Sequence, residues 1–372
     1  MKQEEPSTNP KKRNWKQLVL GLTIGIGLWP VFLPYLYKYD VVIDAKNMLV
    51  ISAAMFVSIF IALIIHECGH AVAGKAAGMV FMNISIGPFV YVRSGDRTLI
   101  LFQMPALGYM GRAMLRFPDR LTDKDLIPKL KLYILGGPLV NLLTAVIAIL
   151  LVYTKLPSGI LLTFGMINLL FGSINLIPTE NNGMQTDGRL LAMLSGKQPG
   201  KELVLLSYRM MQEDPEGTDW RPETVQAAEE AVRNHSDHPI AGALFYSLAS
   251  HYLMMEKAAN AEAIGRIVAF RTRSQKVDPL QDMADIAMIH ILHQSDNLKE
   301  EPGIREKLAV IGTTEKVTRH FRDAYTAYLD NNRNTMMKEL DVVEKILGKW
   351  HSLYLEGHYE KKRIEEIRAS KL

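Results

Sequence analysis

Residues 47–70 read NMLVISAAMFVSIFIALIIHECGH. The 19 residues from Asn47 to Ile65 carry no charge, and His66, Glu67 and His70 follow at once. About 20 apolar residues in a helix cross roughly 30 Å of hydrocarbon, so the stretch reads as a membrane span with ionisable groups at its end. Such groups are costly at membrane depth and mark functional sites by default. Residues four apart on a helix lie about 40° apart in projection, so His66 and His70 share a face and can hold one metal ion. Glu67, about 100° round from His66, sits beside that face, where it can reach a metal-bound water without being a ligand. Cys68 projects away from it and is expected to be a small packing residue. The chain has ten histidines, and the only two before residue 200 are this pair.

Three more charge-free stretches run from Gln17 to Tyr37, Leu132 to Thr154 and Leu156 to Thr179. They predict spans of about 17–37, 132–154 and 156–178 beside the one at 47–70. The last two are separated only by Lys155, with Pro157-Ser158-Gly159 close behind, which suits an antiparallel helical hairpin. Pro30 and Pro34 should kink the first span, which reads as a retained anchor rather than a cleaved signal peptide. Up to Thr179 the chain holds 17 Lys/Arg against 9 Asp/Glu, and beyond it 26 against 30. A basic, apolar part is thus joined to an acidic, soluble one, which excludes a single uniform globular domain. One cysteine excludes a disulfide framework and a multi-cysteine metal cluster. The mild net charge of +4 gives no reason to expect nucleic acid.

Lys and Arg alternate between the connecting segments: five in residues 1–17, two in the next loop, seven in 81–130 and one in the turn at 155–159. By the positive-inside rule, both termini and the 81–130 insert are cytoplasmic, in a multi-pass protein of the cell membrane. Within that insert, Asn83 to Gln103 reads as a β-hairpin. Residues 104–117, MPALGYMGRAMLRF, read as an interfacial segment or a loop covering the helices. The organisation expected is a basic N-terminus (1–16), a membrane domain (17–195) and a soluble helical domain (196–372). The fold class is therefore a polytopic α-helical membrane protein with four transmembrane helices, a short β-hairpin insert and an all-α cytoplasmic tail. In the tail, Ala241, Leu244, Phe245, Leu248 and Tyr252 recur at helical spacing. Its short helices fit either a TPR-like array or a plain bundle.

A catalytic zinc usually takes three protein ligands, so a third is needed on the side of His70. Asp187, followed by Gly188, lies just beyond the exit of the last span; Glu180 is a rival. Asp187 also suits a helix N-cap for Gly188–Leu194. Asn168 and Asn175 are seven apart on one face of the last span, and Asn141 lies on its hairpin partner. They suit interhelical hydrogen bonding as well as a catalytic role.

His66–His70, Gly137-Pro138-Leu139-Val140-Asn141, and Asn175-x-x-Pro178 followed by Asp187-Gly188 occur in order on successive spans. In this the chain resembles the site-2 protease family of intramembrane zinc metalloproteases, over roughly residues 47–195. The resemblance implies a three-helix catalytic core of spans two to four. It implies one Zn2+ per chain held by His66, His70 and Asp187, Glu67 as catalytic base, and Asn141 and Asn175 near the metal as substrate-positioning residues. It departs from the pattern in the eight residues, Thr179 to Thr186, between the proline and the aspartate.

The activity implied is hydrolysis of peptide bonds in or near membrane-spanning segments of proteins or peptide precursors. A catalytically inactive scaffold acting through its helical tail is the main rival. A zinc transporter would need polar residues across several spans, whereas these cluster at one end. The partners expected are the lipid bilayer, a membrane-spanning substrate and a protein bound at the tail. An edge strand of the 83–103 hairpin is expected to hold an unwound substrate by strand addition.

Overall fold

The structure is a computed structural model. It describes residues 45–94, 97–102, 111–154, 159–181, 184–196, 200–213, 220–255, 257–271, 279–312, 316–347 and 355–370. The span expected at 17–37 lies outside the described residues. Among the described residues, three helices are long and apolar enough to cross a membrane, in Ser52–Ala76, Asp123–Thr154 and Gly159–Leu176. They belong to α1 (Ala45–Ala76), α2 (Asp123–Thr154) and α3 (Gly159–Leu176). The shortest, with 18 residues, spans about 27 Å at 1.5 Å per residue.

The described residues divide into two compact units, one of 45–59 with Leu143–Leu170, the other of Phe60–Leu142 with 171–370. In the first, Val152, Leu162 and Met166 are buried between α2 and α3, with Ile149, Leu161 and Leu169 packed around them. Leu143, Val146, Ile147, Leu150 and Ile160 are exposed on the same segments. A helix pair apolar on its outside as well as its inside is what a bilayer requires, since lipid asks for no polar face.

The second unit contains a four-stranded antiparallel sheet of β1 (Val80–Ile86), β2 (Phe89–Ser94), β3 (Arg97–Phe102) and β4 (Gly111–Arg116), in the order β3-β2-β1-β4. The insert is thus a sheet, not the hairpin expected. Gly87 takes φ +53° in the turn between β1 and β2, the left-handed region that glycine enters freely. In β4, Ala113 and Leu115 are buried and alternate with the more exposed Arg112, Met114 and Arg116, the period-two pattern of a half-buried strand. That alternation was hidden in a stretch apolar and basic enough to pass for an interfacial segment. Leu115 and Phe117 then pack with Leu126 and Leu130 of α2.

After α3, a two-stranded hairpin of β5 (Glu180–Asn181) and β6 (Met184–Gln185) leads into α4 (Asp187–Ser195) and α5 (Gly200–Glu213). Met193 and Leu194 of α4 and Val204 and Leu205 of α5 join the core beneath β4. The rest is helical: α6 (Pro222–Asn234), α7 (Pro239–Met254), α8 (Ala258–Val268), α9 (Pro279–Gln294), α10 (Ile304–Val310), α11 (Lys316–Leu329), α12 (Arg333–Leu347) and α13 (Leu355–Ala369). Phe245, Leu248, Ile289, Leu292, Phe321, Tyr325 and Leu340 lie in one continuous core there. The apolar periodicity seen in 241–252 is the buried stripe of α7.

Candidate metal centre

His66 and His70 lie on successive turns of α1, buried at 6% and 7% exposure, with Glu67 at 4%. Asp187 is the first residue of α4. The Nε2 atoms of the two histidines are 3.2 Å apart. Asp187 Oδ2 is 3.1 Å from that of His66 and 3.4 Å from that of His70. Four ligands at zinc's ~2.0–2.1 Å stand about 3.3 Å from one another in a tetrahedron. The three donor atoms already hold that spacing.

The protonation of the rings follows from their outer partners. The Ala62 carbonyl can only accept, so Asn141 turns Nδ2 toward it at 3.0 Å and presents Oδ1 to His66 Nδ1 at 2.9 Å. That Nδ1 must therefore carry the hydrogen. His70 Nδ1 lies 2.9 Å from the Tyr133 carbonyl and must donate in the same way. In the neutral rings both Nε2 lone pairs consequently point at a carboxylate oxygen, and Asp187 Oδ2 is buried without a hydrogen-bond donor. Three electron pairs aimed at one point repel unless a cation sits between them. The residues present fit a bound zinc ion.

Two close approaches make room for this. A Cβ at Gly137 would stand 2.4 Å from His70 Nε2, and one at Gly69 would stand 2.5 Å from the Gly136 carbonyl oxygen. The paired glycines of α2 thus let α1 come close enough to be read by Asn141 and Tyr133. A Cβ at Gly188 would stand 2.0 Å from the Leu176 carbonyl oxygen, so the Asp-Gly step is pressed against the end of α3.

The eight residues between Pro178 and Asp187 are accommodated as an excursion. The Thr186 amide donates to the Thr179 carbonyl at 3.1 Å, and the Thr186 hydroxyl bonds the Ile177 carbonyl at 2.6 Å. The chain leaves and returns at nearly one point, and Asp187 follows α3 as though the insert were short. Thr186, rather than Asp187, is the N-cap of α4: its Oγ1 accepts from the Arg189 amide at 3.3 Å. This leaves the Asp187 carboxylate for the histidines. Glu180 opens β5, and its side chain lies outside the described residues.

Glu67 stands beside the triad, as its place on the helix requires. The Ala113 amide of β4 faces its carboxylate. A Cβ on Gly111 would come 2.2 Å from Glu67 Oε1, so β4 runs directly over the acid. Tyr133 ties the same strand to α2 by donating its hydroxyl to the Ala113 carbonyl. Nothing in the local pattern of residues singles out Tyr133, Ala113 or Gly111. Asn175 spends its amide on the Phe171 carbonyl one turn back, at 3.1 Å. Asn168 does likewise with Phe164, at 2.9 Å. Cys68 is exposed rather than packed.

Residues 54–158 match the model of Peptidase family M50. This is the site-2 protease family, so the resemblance is shown over the segment holding His66–His70 and the Gly-Pro-x-x-Asn run of α2. The M50 match ends before α3, and Asp187 lies beyond it. No curated protein and no solved structure matches the chain.

Outside the M50 segment, His320, Asp323 and Glu339 also bring potential ligand atoms together. Their charges are already answered. Arg322 donates to Asp323 at 2.7 and 2.9 Å, His320 Nδ1 is 2.6 Å from Glu339, and Arg319 sits 3.2 Å from His320 Nε2.

Proposed function

We propose that the chain is an intramembrane zinc metalloprotease that hydrolyses peptide bonds in or near membrane-spanning segments. The observation that carries this reading is the convergence of His66 Nε2, His70 Nε2 and Asp187 Oδ2 with a buried carboxylate, Glu67, beside them. The M50 match supports it. His66, His70 and Asp187 would hold the metal; Asn141 and the Tyr133 carbonyl hold the imidazoles in the tautomer that can ligate. Bound zinc polarises a scissile carbonyl and brings the pKa of water down to about 7.

Glu67 takes a proton from the attacking water and delivers it to the leaving nitrogen, in the dry environment its burial provides. Asn141 is engaged with His66 and Ala62, so it acts on substrate through the metal ligand. Asn175 remains a candidate for direct contact. A peptide bond within a helix is shielded and must be unwound before attack, and an edge strand can hold the extended product of unwinding. The free edge of the 83–103 segment is β3, three strand spacings or about 14 Å across the sheet from β4. We therefore assign the strand-addition role to β4, which runs over Glu67. The lysine and arginine alternation supports cytoplasmic termini, a fourth span at 17–37 and a cell-membrane location. We read α6–α12 as stacked helical hairpins of a cytoplasmic domain spanning about 196–372.

The test is metal content and cleavage of a single-span substrate in liposomes, wild type beside Glu67→Gln. One zinc per chain in both, with cleavage at least about 10³-fold lower in the variant, is the expected result. Zinc bound with no cleavage by wild type across a broad substrate panel points to the inactive scaffold. Absence of zinc from both proteins overturns the site.

A further inference from the structure

The last helix among the described residues, α13, packs on its neighbour α12 and also against α7, α9 and α11. Tyr359, Arg363, Ile364 and Ile367 are all at 1% exposure or less. The Arg363 guanidinium lies 4.0 Å over the Phe321 ring and donates to the Ile286 carbonyl at 3.1 Å. Tyr246 donates to Glu360, and Gln294 donates to Glu366 at 2.7 Å. His290 Nε2 is 3.1 Å from Glu366, and His293 Nε2 is 2.7 Å from the Ser370 hydroxyl.

The distribution of buried charge in this interface is one-sided; at its rim Arg368 pairs with Asp341 and Glu344 of α12, both largely exposed. Glu360, Arg363 and Glu366 all belong to α13, and Arg363 has its counter-charge, Glu360, 3.5 Å away on the same helix. The groove offers neutral groups in return: the hydroxyls of Tyr246 and Tyr325, the Gln294 amide, the Ile286 carbonyl, and His290 and His293, whose burial pushes both well below the usual histidine range. Removing one member of a buried ion pair strands a charge in a medium that solvates it poorly. Lifting α13 strands no buried charge in the groove: Glu360, Arg363 and Glu366 leave together, and Asp341 and Glu344 of α12, already largely exposed, return to water. The fit is also incomplete: Arg363 Nε, Tyr359 hydroxyl and His293 Nδ1 are buried without partners. Permanent cores satisfy such groups, whereas reversible interfaces tolerate them.

We propose that the face of α7, α9 and α11 is a docking groove for a helix, occupied here by the chain's own α13 and open to a partner protein of the same chemistry. The partner helix carries a central arginine, glutamates three residues before and after it, and apolar residues four before, one after and four after. These are the positions of Arg363, Glu360, Glu366, Tyr359, Ile364 and Ile367, one face of a helix.

The experiment uses the full chain in detergent and a labelled synthetic peptide of residues 355–372. Apparent affinity falls by the fraction of groove that is open, so Arg363→Ala in the chain, which loosens its own helix, should bind the peptide about ten-fold tighter than wild type. A peptide carrying the same substitution should bind neither protein. Equal, weak binding by both chains overturns the proposal. Hydrogen exchange on the wild type gives a second reading that does not depend on the variant folding. Exchange of α13 ahead of α11 and α12 supports the proposal, and exchange of all three as one unit overturns it.

Discussion

Two regions of this molecule bury charge, and they do so in opposite ways. Around His66, His70 and Asp187 the contacts from Asn141 and the Tyr133 carbonyl aim electron pairs inward, and among the described residues no lysine or arginine pairs with Asp187. Around Arg363 both signs are present, and the guanidinium is wrapped in its own carboxylate, a carbonyl and aromatic faces. Burial alone therefore does not identify a metal centre; an unbalanced set of aligned donors does. The cluster at His320 makes the same point, since Arg322 answers Asp323 there and His320 answers Glu339.

The largest effect should come from removing a donor from the unbalanced set. Asp187→Ala is expected to reduce zinc from one per chain to nearly none and to abolish cleavage. Glu180→Ala should change neither. Metal analysis of the purified variants decides between the two carboxylates, and retention of zinc by Asp187→Ala would break the contrast drawn above. A smaller effect is expected from the groups that aim the donors. Asn141→Ala frees His66 to adopt the other tautomer, so zinc affinity should fall about 10- to 100-fold, as for other outer partners of metal ligands. Competition with a chelator of known affinity measures it, and an unchanged affinity would remove Asn141 from the site.

The balanced region should respond to protons instead. Burial lowers His293 to about 4, and lowers His290 as well. His290 faces Arg363, Lys362 and Glu366 of α13 and Tyr325 of α11; His293 faces Glu366, Arg363 and Ser370, with Asp296 and Lys299 nearby. Both stay neutral in the folded tail while the unfolded chain takes up protons below about 6.5. Their contribution is complete above that pH and declines as pH falls toward 4, by about 1.4 kcal/mol per unit for each group while it remains neutral. Urea melts of the tail between pH 7 and 4.5 should show this slope, and His293→Gln should reduce it. A slope unchanged by the substitution would mean that other groups set the acid response.

Much of this was legible in the residues. Long uncharged runs forecast the three described spans, because lipid penalises charge at every position along a helix. The histidine spacing forecast a shared face, because an α-helix repeats every 3.6 residues. The sheet was only half visible. β1–β3 are apolar runs joined by short turns, but β4 pairs with β1 across a long stretch of chain, and such a non-local partner leaves no trace in local pattern. Tyr133 escaped for a related reason: it contributes a backbone carbonyl to His70, and any residue type has one. The paired Gly136 and Gly137 were the signal available, since two glycines in a membrane helix mark a place where something must come close.

The hairpin of β5 and β6 also bears on how such a protein can change over time. Because Thr179 and Thr186 are bonded to each other, the segment between them is a closed detour, and its length has no influence on where Asp187 arrives. Doubling a flexible loop costs only about 0.6 kcal/mol. The detour is therefore a splice point beside the proposed metal ligand. Sequence can be gained, lost or exchanged there, by descent or in the laboratory, while the geometry of the His66, His70 and Asp187 cluster stays in register.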